Sequence, residues 1–292
     1  MKLRKVSNKF RLSDILIYGM IAVLMVITLY PVWYVAMASV SDPVKAYQSG
    51  GVLLFPKEIQ WEGYKHVMDN KEIWIGYGNT IFYTVAATLL NVILTAALAY
   101  PLSKKKLMFR KPITMFVMFT MFFNGGMIPT YLVMNKIGLL NTRAAVILPG
   151  LVSVFNFIIM RTNFEAIPES LEESAYLDGA SDWIIFWKIV LPLSKSTLAM
   201  MVLFYGVQHW SSWFNEMLYL RDRVLWPLAL ITREIIINSS TGLAAESGLM
   251  TMEMSENIKY CTIMVTTLPI LCLYPFLQKY FVKGQMAGAV KG

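Results

Sequence analysis

The chain has 292 residues, of which 57% are hydrophobic and only 15% are charged, and its formal net charge is +8. The apolar share far exceeds that of a soluble domain, and the apolar residues come in long blocks, which is typical of an integral membrane protein. The excess positive charge lies mainly outside those blocks, so it indicates membrane orientation and argues against a nucleic-acid surface.

Six apolar blocks are long enough to cross a membrane, because a helix needs about 20 apolar residues to span the hydrocarbon. They cover residues 14–39, 79–101, 112–134, 144–163, 193–219 and 260–281. None alternates as barrel strands do, so we expect an all-α membrane protein with six transmembrane helices. The first block, with its basic flank, resembles a signal peptide, but it is about twice as long as a usual apolar region, so we expect it to be retained.

Lysine and arginine are concentrated in three segments that six crossings would place on the same side of the membrane. These are Lys2, Arg4, Lys5, Lys9 and Arg11 at the N-terminus; Lys104, Lys105, Lys106, Arg110 and Lys111 between the second and third blocks; and Lys279, Lys283 and Lys291 in the C-terminal tail. Positive charge marks the cytoplasmic side, so we expect both termini there, together with the loop between the fourth and fifth blocks.

That loop, about residues 164–192, is too acidic to enter the bilayer, where each carboxylate would cost about 2.5–3.5 kcal/mol near the centre. Its pattern predicts a helix that starts near Pro168, a stop at Gly179, and a second helix with Ser181 as its N-cap. Four apolar residues of the second helix are predicted to share one face: Trp183, Phe186, Trp187 and Val190. Such a face needs a cover, and spacing alone leaves two alternatives open: a partner, or the protein's own spans or the lipid surface.

The order of residues in this loop resembles the EAA loop of ABC importer permeases, which follows the pattern E-A-A-x-x-D-G-A and then I-x-L-P. Ser174 replaces the first alanine of that pattern with another small residue. The stretches GYGNTIFYT, FFNGGMIPTYL, LNTRAAVILPG and YFVKGQMAGAVKG look like the carbohydrate branch of these permeases, the maltose-type inner-membrane subunits for complex oligosaccharides. The positions that would couple to an ATPase are Glu173, Ser174, Ala175, Asp178, Gly179, Ala180, Trp183, Phe186, Leu191 and Pro192.

The resemblance implies a type I ABC importer permease fold with a cytoplasmic coupling helix, in the plasma membrane of a prokaryote. The expected parts are a cytoplasmic segment 1–13, a first transmembrane helix 14–40, a permease core 75–281 with five transmembrane helices, and a cytoplasmic tail 282–292. The expected partners are a second permease subunit, two ATPase subunits, an extracytoplasmic solute-binding protein, the lipid bilayer and a carbohydrate. The chain has no G-x-x-x-x-G-K-[ST] phosphate loop, so we expect it not to be an enzyme and ATP and Mg to be bound by the ATPase subunits.

The fifth block contains unusually polar residues for a membrane helix, and polar groups in a span normally face the bundle or a water-filled cavity. We expect the substrate path to include Gln208, His209, Trp210, Trp213 and Glu216. Of these, His209, Trp213 and Glu216 are expected to share one helical face. Alternatively, the two tryptophans form part of an interfacial belt and Glu216 marks the outer helix end. Single asparagines in or near other spans are expected to make helix–helix hydrogen bonds, with contact to the sugar as the alternative: Asn79, Asn91, Asn124 and Asn156.

Other functions stay open at this point. An ion- or proton-coupled secondary transporter would need carboxylates within the membrane, and only Glu216 and His209 approach that requirement. A membrane-embedded enzyme would need clustered catalytic groups, and no such cluster is apparent. No metal site is expected, because neither histidine has a second ligand at metal-binding spacing. An ABC permease for a non-sugar solute, such as a peptide or an amino acid, is the nearest alternative.

Overall fold

The structure is a computed structural model that describes the chain over residues 12–240 and 252–289. Its regular structure is helical, and the described residues contain no strand beyond one isolated antiparallel bridge between Ser41 and Ile59. The all-α class expected from the apolar blocks is therefore confirmed.

Besides α-helices, the described residues include a π-helical turn at Phe186–Val190 and a 3-10 turn at Arg223–Leu225. In chain order the α-helices are α1 (Leu12–Ser39), α2 (Pro43–Tyr47), α3 (Glu62–Asp69), α4 (Lys71–Ser103), α5 (Arg110–Phe122), α6 (Met127–Lys136), α7 (Ala144–Ile147), α8 (Val154–Glu165), α9 (Glu169–Leu177), α10 (Asp182–Ile185), α11 (Leu191–Leu193), α12 (Lys195–Trp210), α13 (Phe214–Tyr219), α14 (Leu228–Ser240) and α15 (Met252–Ala289).

Two helices, α1 and α4, are long and apolar enough to cross a membrane. Two bent helix pairs raise that number to four if each pair counts as one span. Helices α5 and α6 meet at 110°, and the stretch from Asp182 to Leu193 meets α12 at 80°. By length and composition, the described helices therefore supply two to four spans where the sequence predicts six.

Three of the predicted blocks are interrupted, and local sequence explains the breaks in the third and fourth. The third is divided where Gly126, with φ of 88°, donates its N–H to Asn124 Oδ1 at 2.9 Å. The fourth is divided after α7 by Pro149 and by Gly150, with φ of 77°, which leaves α8 only about 18 Å long. The fifth stops at Trp210 and resumes at Phe214.

The chain ends also differ from the predicted boundaries. Residues 1–11 of the predicted segment 1–13 lie outside the described residues. The sixth block lies within α15, which continues to Ala289, so most of the predicted tail 282–292 is helical.

The described residues form two compact units. The first comprises the described parts of Met1–Asp69 and Ile235–Val265, and the second those of Asn70–Glu234 and Thr266–Gly292. Buried side chains from α4, α8 and α12 form the main core of the second unit, among them Ala96, Ala99, Phe157, Met160, Met201 and Tyr205.

A buried amide joins the elements of the first unit. Asn257 on α15 donates to the carbonyl oxygens of Ala38 at 3.1 Å and Ser41 at 3.3 Å, at the end of α1. Gly63 on α3 lies so close that a Cβ there would be 2.0 Å from Asn257 Oδ1. A glycine is therefore required at that helix contact.

Candidate functional site

The stretch Glu169–Pro192, named here the acidic–aromatic segment, is built around a tight glycine turn. Helix α9 ends at Leu177, and Gly179 has φ of 80°. The N–H of Ala180 bonds to the carbonyl oxygen of Ala175 at 2.9 Å, and that of Gly179 to Tyr176 at 3.0 Å, which is the Schellman pattern. The space around Gly179 is open, so packing would not exclude a side chain there. The glycine is favoured because of its backbone conformation. The predicted stop is confirmed.

One side of the acidic–aromatic segment is buried in the core of the second unit. Its buried apolar members are Ala175, Ile185, Phe186 and Val190, which pack with residues of α4, α8 and α12. The segment is therefore anchored by apolar contacts and is not a free linker.

The other side carries large exposed apolar side chains. Leu177 at the turn is 90% exposed, and the remaining members are Leu171, Tyr176, Trp183, Ile184 and Trp187. Exposed apolar residues grouped in this way mark an interaction surface. We name these six residues the apolar tip.

The prediction that Trp183, Phe186, Trp187 and Val190 share one face is wrong. Phe186 and Val190 are buried, whereas Trp183 and Trp187 are exposed. Residues 186–190 form a π-helical turn, whose wider hydrogen-bonding pattern changes the angular spacing assumed for an α-helix. Ser181 does occupy the N-cap of α10, although its side chain makes no capping hydrogen bond.

The remaining motif residues lie on the same segment and face solvent or the segment edge. Glu173, Ser174 and Asp178 are exposed, Ala180 and Leu191 are half-buried, and Pro192 is exposed. Ser174 Oγ donates to the carbonyl oxygen of Leu171 at 3.0 Å, so its hydroxyl is satisfied within α9. The predicted set is thus brought together, with its polar members accessible to a partner.

A basic loop that the sequence assigned only to topology is paired with this segment. Lys104 forms an ion pair with Glu172, and Lys105 Nζ lies 3.0 Å from Glu169 Oε1. The Lys105 ammonium lowers the pKa of the Glu169 carboxyl through its hydrogen bond and charge. The complementary charges of the two loops were the signal that could have indicated this contact.

A second charged group continues the contact at the start of α5. Arg110 pairs with Glu165, which also accepts from Arg161 Nη2 at 2.7 Å. Arg110 Nε donates to the carbonyl oxygen of Leu102 at 2.9 Å. The end of α4, the basic loop and the end of α8 are thereby linked beside the acidic–aromatic segment.

A cavity of 810 Å³ lies between the basic loop and the acidic–aromatic segment. Charged residues from both sides and aromatic residues line it, including Tyr176 and Trp183. Tyr176 donates its hydroxyl to Asp182, and this hydrogen bond to a carboxylate raises the Tyr176 pKa to about 12. The tyrosine is therefore a neutral donor over the physiological pH range.

The proposed path residues do not share one helical face, so that prediction is wrong. Helix α12 ends at Trp210 and α13 starts at Phe214, which breaks the i, i+4, i+7 relation. His209 Nε2 lies 3.0 Å from Asn91 Nδ2, whereas Glu216 is buried on α13 and accepts from Ser212 Oγ at 2.9 Å. The Arg233 guanidinium lies 3.7 Å from the Trp213 ring centroid.

Trp210 lies between two cavities of the second unit. One has a volume of 430 Å³ and an almost wholly apolar lining from α4 and α12, including Gly206. The other has a volume of 230 Å³ and is lined in part by Ser211 and Thr232. Gln208, in the same turn as Trp210, is exposed. An aromatic ring between an apolar and a more polar cavity can contact a sugar face.

The asparagines within α4 hold neighbouring elements in place. The contact between Asn91 and His209 joins α4 to α12, as expected for a helix–helix hydrogen bond. Asn79 Nδ2 instead donates to the carbonyl oxygens of Val224 at 2.7 Å and Trp226 at 3.0 Å. These bonds fix the connection between α13 and α14 on the first half of α4.

Arg223 strengthens the same connection. Its guanidinium donates to both carboxylate oxygens of Glu72, at 2.9 and 2.8 Å, and to those of Glu234, at 2.8 and 2.6 Å. Both carboxylates raise the pKa of Arg223. The end of the second unit opposite the acidic–aromatic segment is thus tied together by a charged network.

Comparison with known proteins matches residues 7–211 to the family "binding-protein-dependent transport system inner membrane component". The chain is 40% identical to the polygalacturonan/rhamnogalacturonan transport system permease protein YtcP of Bacillus subtilis, over 97% of this chain and all of that protein. It is 26% identical to the arabinooligosaccharides transport system permease protein AraQ of Halalkalibacterium halodurans, over 91% of this chain and 92% of the relative.

A solved structure has a similar fold. It is a bacterial ABC transporter involved in the import of the acidic polysaccharide alginate, and the matched chain is 33% identical with a TM-score of 0.85. The match covers 94% of this chain and all of the other. The similarity therefore extends through both units.

Proposed function

Because the chain belongs to the family of binding-protein-dependent transport system inner membrane components, we propose that it forms part of the passage of an ATP-driven importer for an oligosaccharide. The chain is a transport permease subunit and not an enzyme. Relatives named for polygalacturonan, rhamnogalacturonan and arabinooligosaccharides, and the structural relative described for alginate, support an oligosaccharide as substrate.

The proposed topology has six crossings with both termini in the cytoplasm. The basic loop between α4 and α5 is then cytoplasmic, in agreement with the distribution of lysine and arginine. The acidic–aromatic segment pairs with that loop, which supports the same side for both. Helices α5 and α6 would together contribute to one crossing and α12 to another, while the stretch 182–193, bent by 80° from α12, stays with the acidic–aromatic segment on the cytoplasmic side.

The acidic–aromatic segment is the proposed contact with the ATPase subunits, and the apolar tip is the observation that carries this assignment. Leu177 and Trp183 project from a segment whose opposite side is packed in the core. An exposed apolar surface that is anchored in the core is suited to transmit a conformational change from a bound partner. ATP and Mg would be bound by the two ATPase subunits, and this chain would bind neither.

The proposed path lies at the turn between α12 and α13, where Trp210 lines both cavities and Gln208 and His209 directly precede it on α12. Trp213 and Glu216 would contribute from the break and from α13. A second permease subunit would supply the other wall, and an extracytoplasmic solute-binding protein would deliver the sugar to the end fixed by Arg223. Polar groups beside an aromatic ring are the usual means of holding a sugar.

Purification of the complete complex tests this proposal. ATPase subunits and a ligand-loaded binding protein are expected to co-purify, and ATP-dependent uptake into vesicles is expected to persist after the proton gradient is collapsed. Neutral and uronate-bearing oligosaccharides would be compared as substrates, with a dipeptide as the non-sugar control. Uptake that follows the proton or sodium gradient without ATP would instead support a secondary transporter.

A further inference from the structure

The loop Gly50–Pro56 of the first unit, named here the apolar loop, lies in a stretch without charge between Lys45 and Lys57. Its sequence, GGVLLFP, is unusually apolar for a connection that is expected to face water. Leu53 is 1% exposed, whereas Val52 is 67%, Leu54 58% and Phe55 75% exposed.

The apolar loop folds back along α1. Tyr30 Oη donates to the carbonyl oxygen of Gly51 at 2.9 Å and accepts from the N–H of Leu53 at 3.2 Å. Trp33 Nε1 donates to the carbonyl oxygen of Leu54 at 3.0 Å. Both aromatic side chains belong to the apolar helix, so polar groups of the loop backbone are satisfied without water.

These contacts set the depth of the loop. Tyr30 and Trp33 precede the end of α1 at Ser39 by nine and six residues, or about 13 and 9 Å along the axis. The apolar run Asp14–Ser39 has 26 residues, about 39 Å, and exceeds a hydrocarbon thickness of about 30 Å. With the run centred, the loop contacts lie a few Å inside the hydrocarbon boundary.

We propose that the apolar loop inserts into the bilayer leaflet around the end of α1, with Leu54 and Phe55 among the lipid chains. The leaflet is the outer one in the topology proposed above. The exposed side chains of the loop continue the apolar surface of α1, which is exposed throughout residues 15–29. Irregular backbone within a membrane needs internal hydrogen bonds, and Tyr30 and Trp33 supply three of them, to Gly51, Leu53 and Leu54. Lys45 and Lys57 flank the loop at its water side.

The experiment uses the complete complex in lipid nanodiscs and a nitroxide on single cysteines at Leu54 and Phe55, in a Cys272→Ser background that retains the buried Cys261. Val26, exposed on α1, is the lipid reference, and Lys65, exposed on α3, is the water reference. Retained transport checks each variant, and the unlabelled background measures any signal from Cys261.

The measured quantity is the accessibility of the nitroxide to oxygen divided by its accessibility to a soluble nickel complex. This ratio is expected to be severalfold higher at Leu54 and Phe55 than at Lys65, and close to the ratio at Val26. A ratio like that of Lys65 would place the loop in water and overturn the proposal. Low accessibility to both reagents would mean that another subunit covers it, which also overturns it. Because Val26 and Lys65 calibrate each sample, a wrong assignment of substrate or membrane side would leave this comparison intact.

Discussion

Replacement of Lys104 by alanine should loosen the acidic–aromatic segment from the basic loop. The Lys104–Glu172 pair is mostly buried, with side-chain exposures of 30% and 10%, and the ammonium also lies 4.4 Å from the Tyr100 ring centroid. Exposed pairs contribute about 0–1 kcal/mol, and loss of one partner of a fully buried pair costs about 3–5 kcal/mol. A loss of about 2 kcal/mol is therefore expected, which corresponds to a roughly thirtyfold change in the docked population of α9.

The assay is hydrogen exchange of the α9 amides in the purified complex, together with solute transported per ATP hydrolysed. Lys104→Ala should raise α9 exchange by about thirtyfold and lower the transport ratio. The exchanged pair Lys104→Glu with Glu172→Lys should recover part of both. Lys106→Ala is the matched control, because Lys106 forms no ion pair with the described residues. Equal effects of the two alanine variants, or no effect of Lys104→Ala, would refute the reasoning.

Three further predictions concern single contacts. Gly179→Ala should cost about 1–2 kcal/mol of strain at φ of 80° and reduce transport, whereas Gly179→Asn, which tolerates this conformation, should retain more activity. Asn91→Ala should lower the thermal midpoint of the complex, because His209 loses its partner at a cost of about 1–3 kcal/mol, and an unchanged midpoint would contradict this. Lys105 lowers the pKa of Glu169. The ion pair therefore contributes its full stabilisation above the ordinary carboxyl pKa, and this contribution is lost as the pH falls through the lowered pKa of Glu169. Infrared titration of labelled glutamate should therefore detect an upward pKa shift in Lys105→Ala, and identical titrations would exclude the pair.

Features encoded within a few residues were predictable from the sequence. The stop at Gly179 follows from local turn chemistry, and the spacing from Glu173 to Pro192 identified the segment that carries the apolar tip. The breaks after Asn124 and Leu148 also have local signals, in the Gly-Gly and Pro-Gly pairs that follow. Block length and composition outweighed those signals, so continuous helices were predicted there.

Features that depend on contacts between distant parts of the chain were not predictable. The pairing of Lys104 with Glu172 joins residues 68 positions apart. Charge counts alone predicted only the side of the membrane on which each residue lies. Helical periodicity placed Trp183 and Phe186 on one face, but only Phe186 packs in the core of the second unit, a contact with distant residues that local spacing does not reveal. The path residues were assigned by a helical period that the break at Ser211–Trp213 removes.

The most direct test of the coupling assignment is a site-specific crosslink from the apolar tip in the assembled transporter. A cysteine at Leu177, which is 90% exposed, would carry a short photoactivatable group, and a cysteine at Lys65, exposed on α3 of the first unit, would be the control. We predict a crosslink from Leu177 to an ATPase subunit, with a yield that changes with nucleotide, and none from Lys65. A Leu177 adduct with lipid alone, in a complex that contains its ATPase, would contradict the assignment.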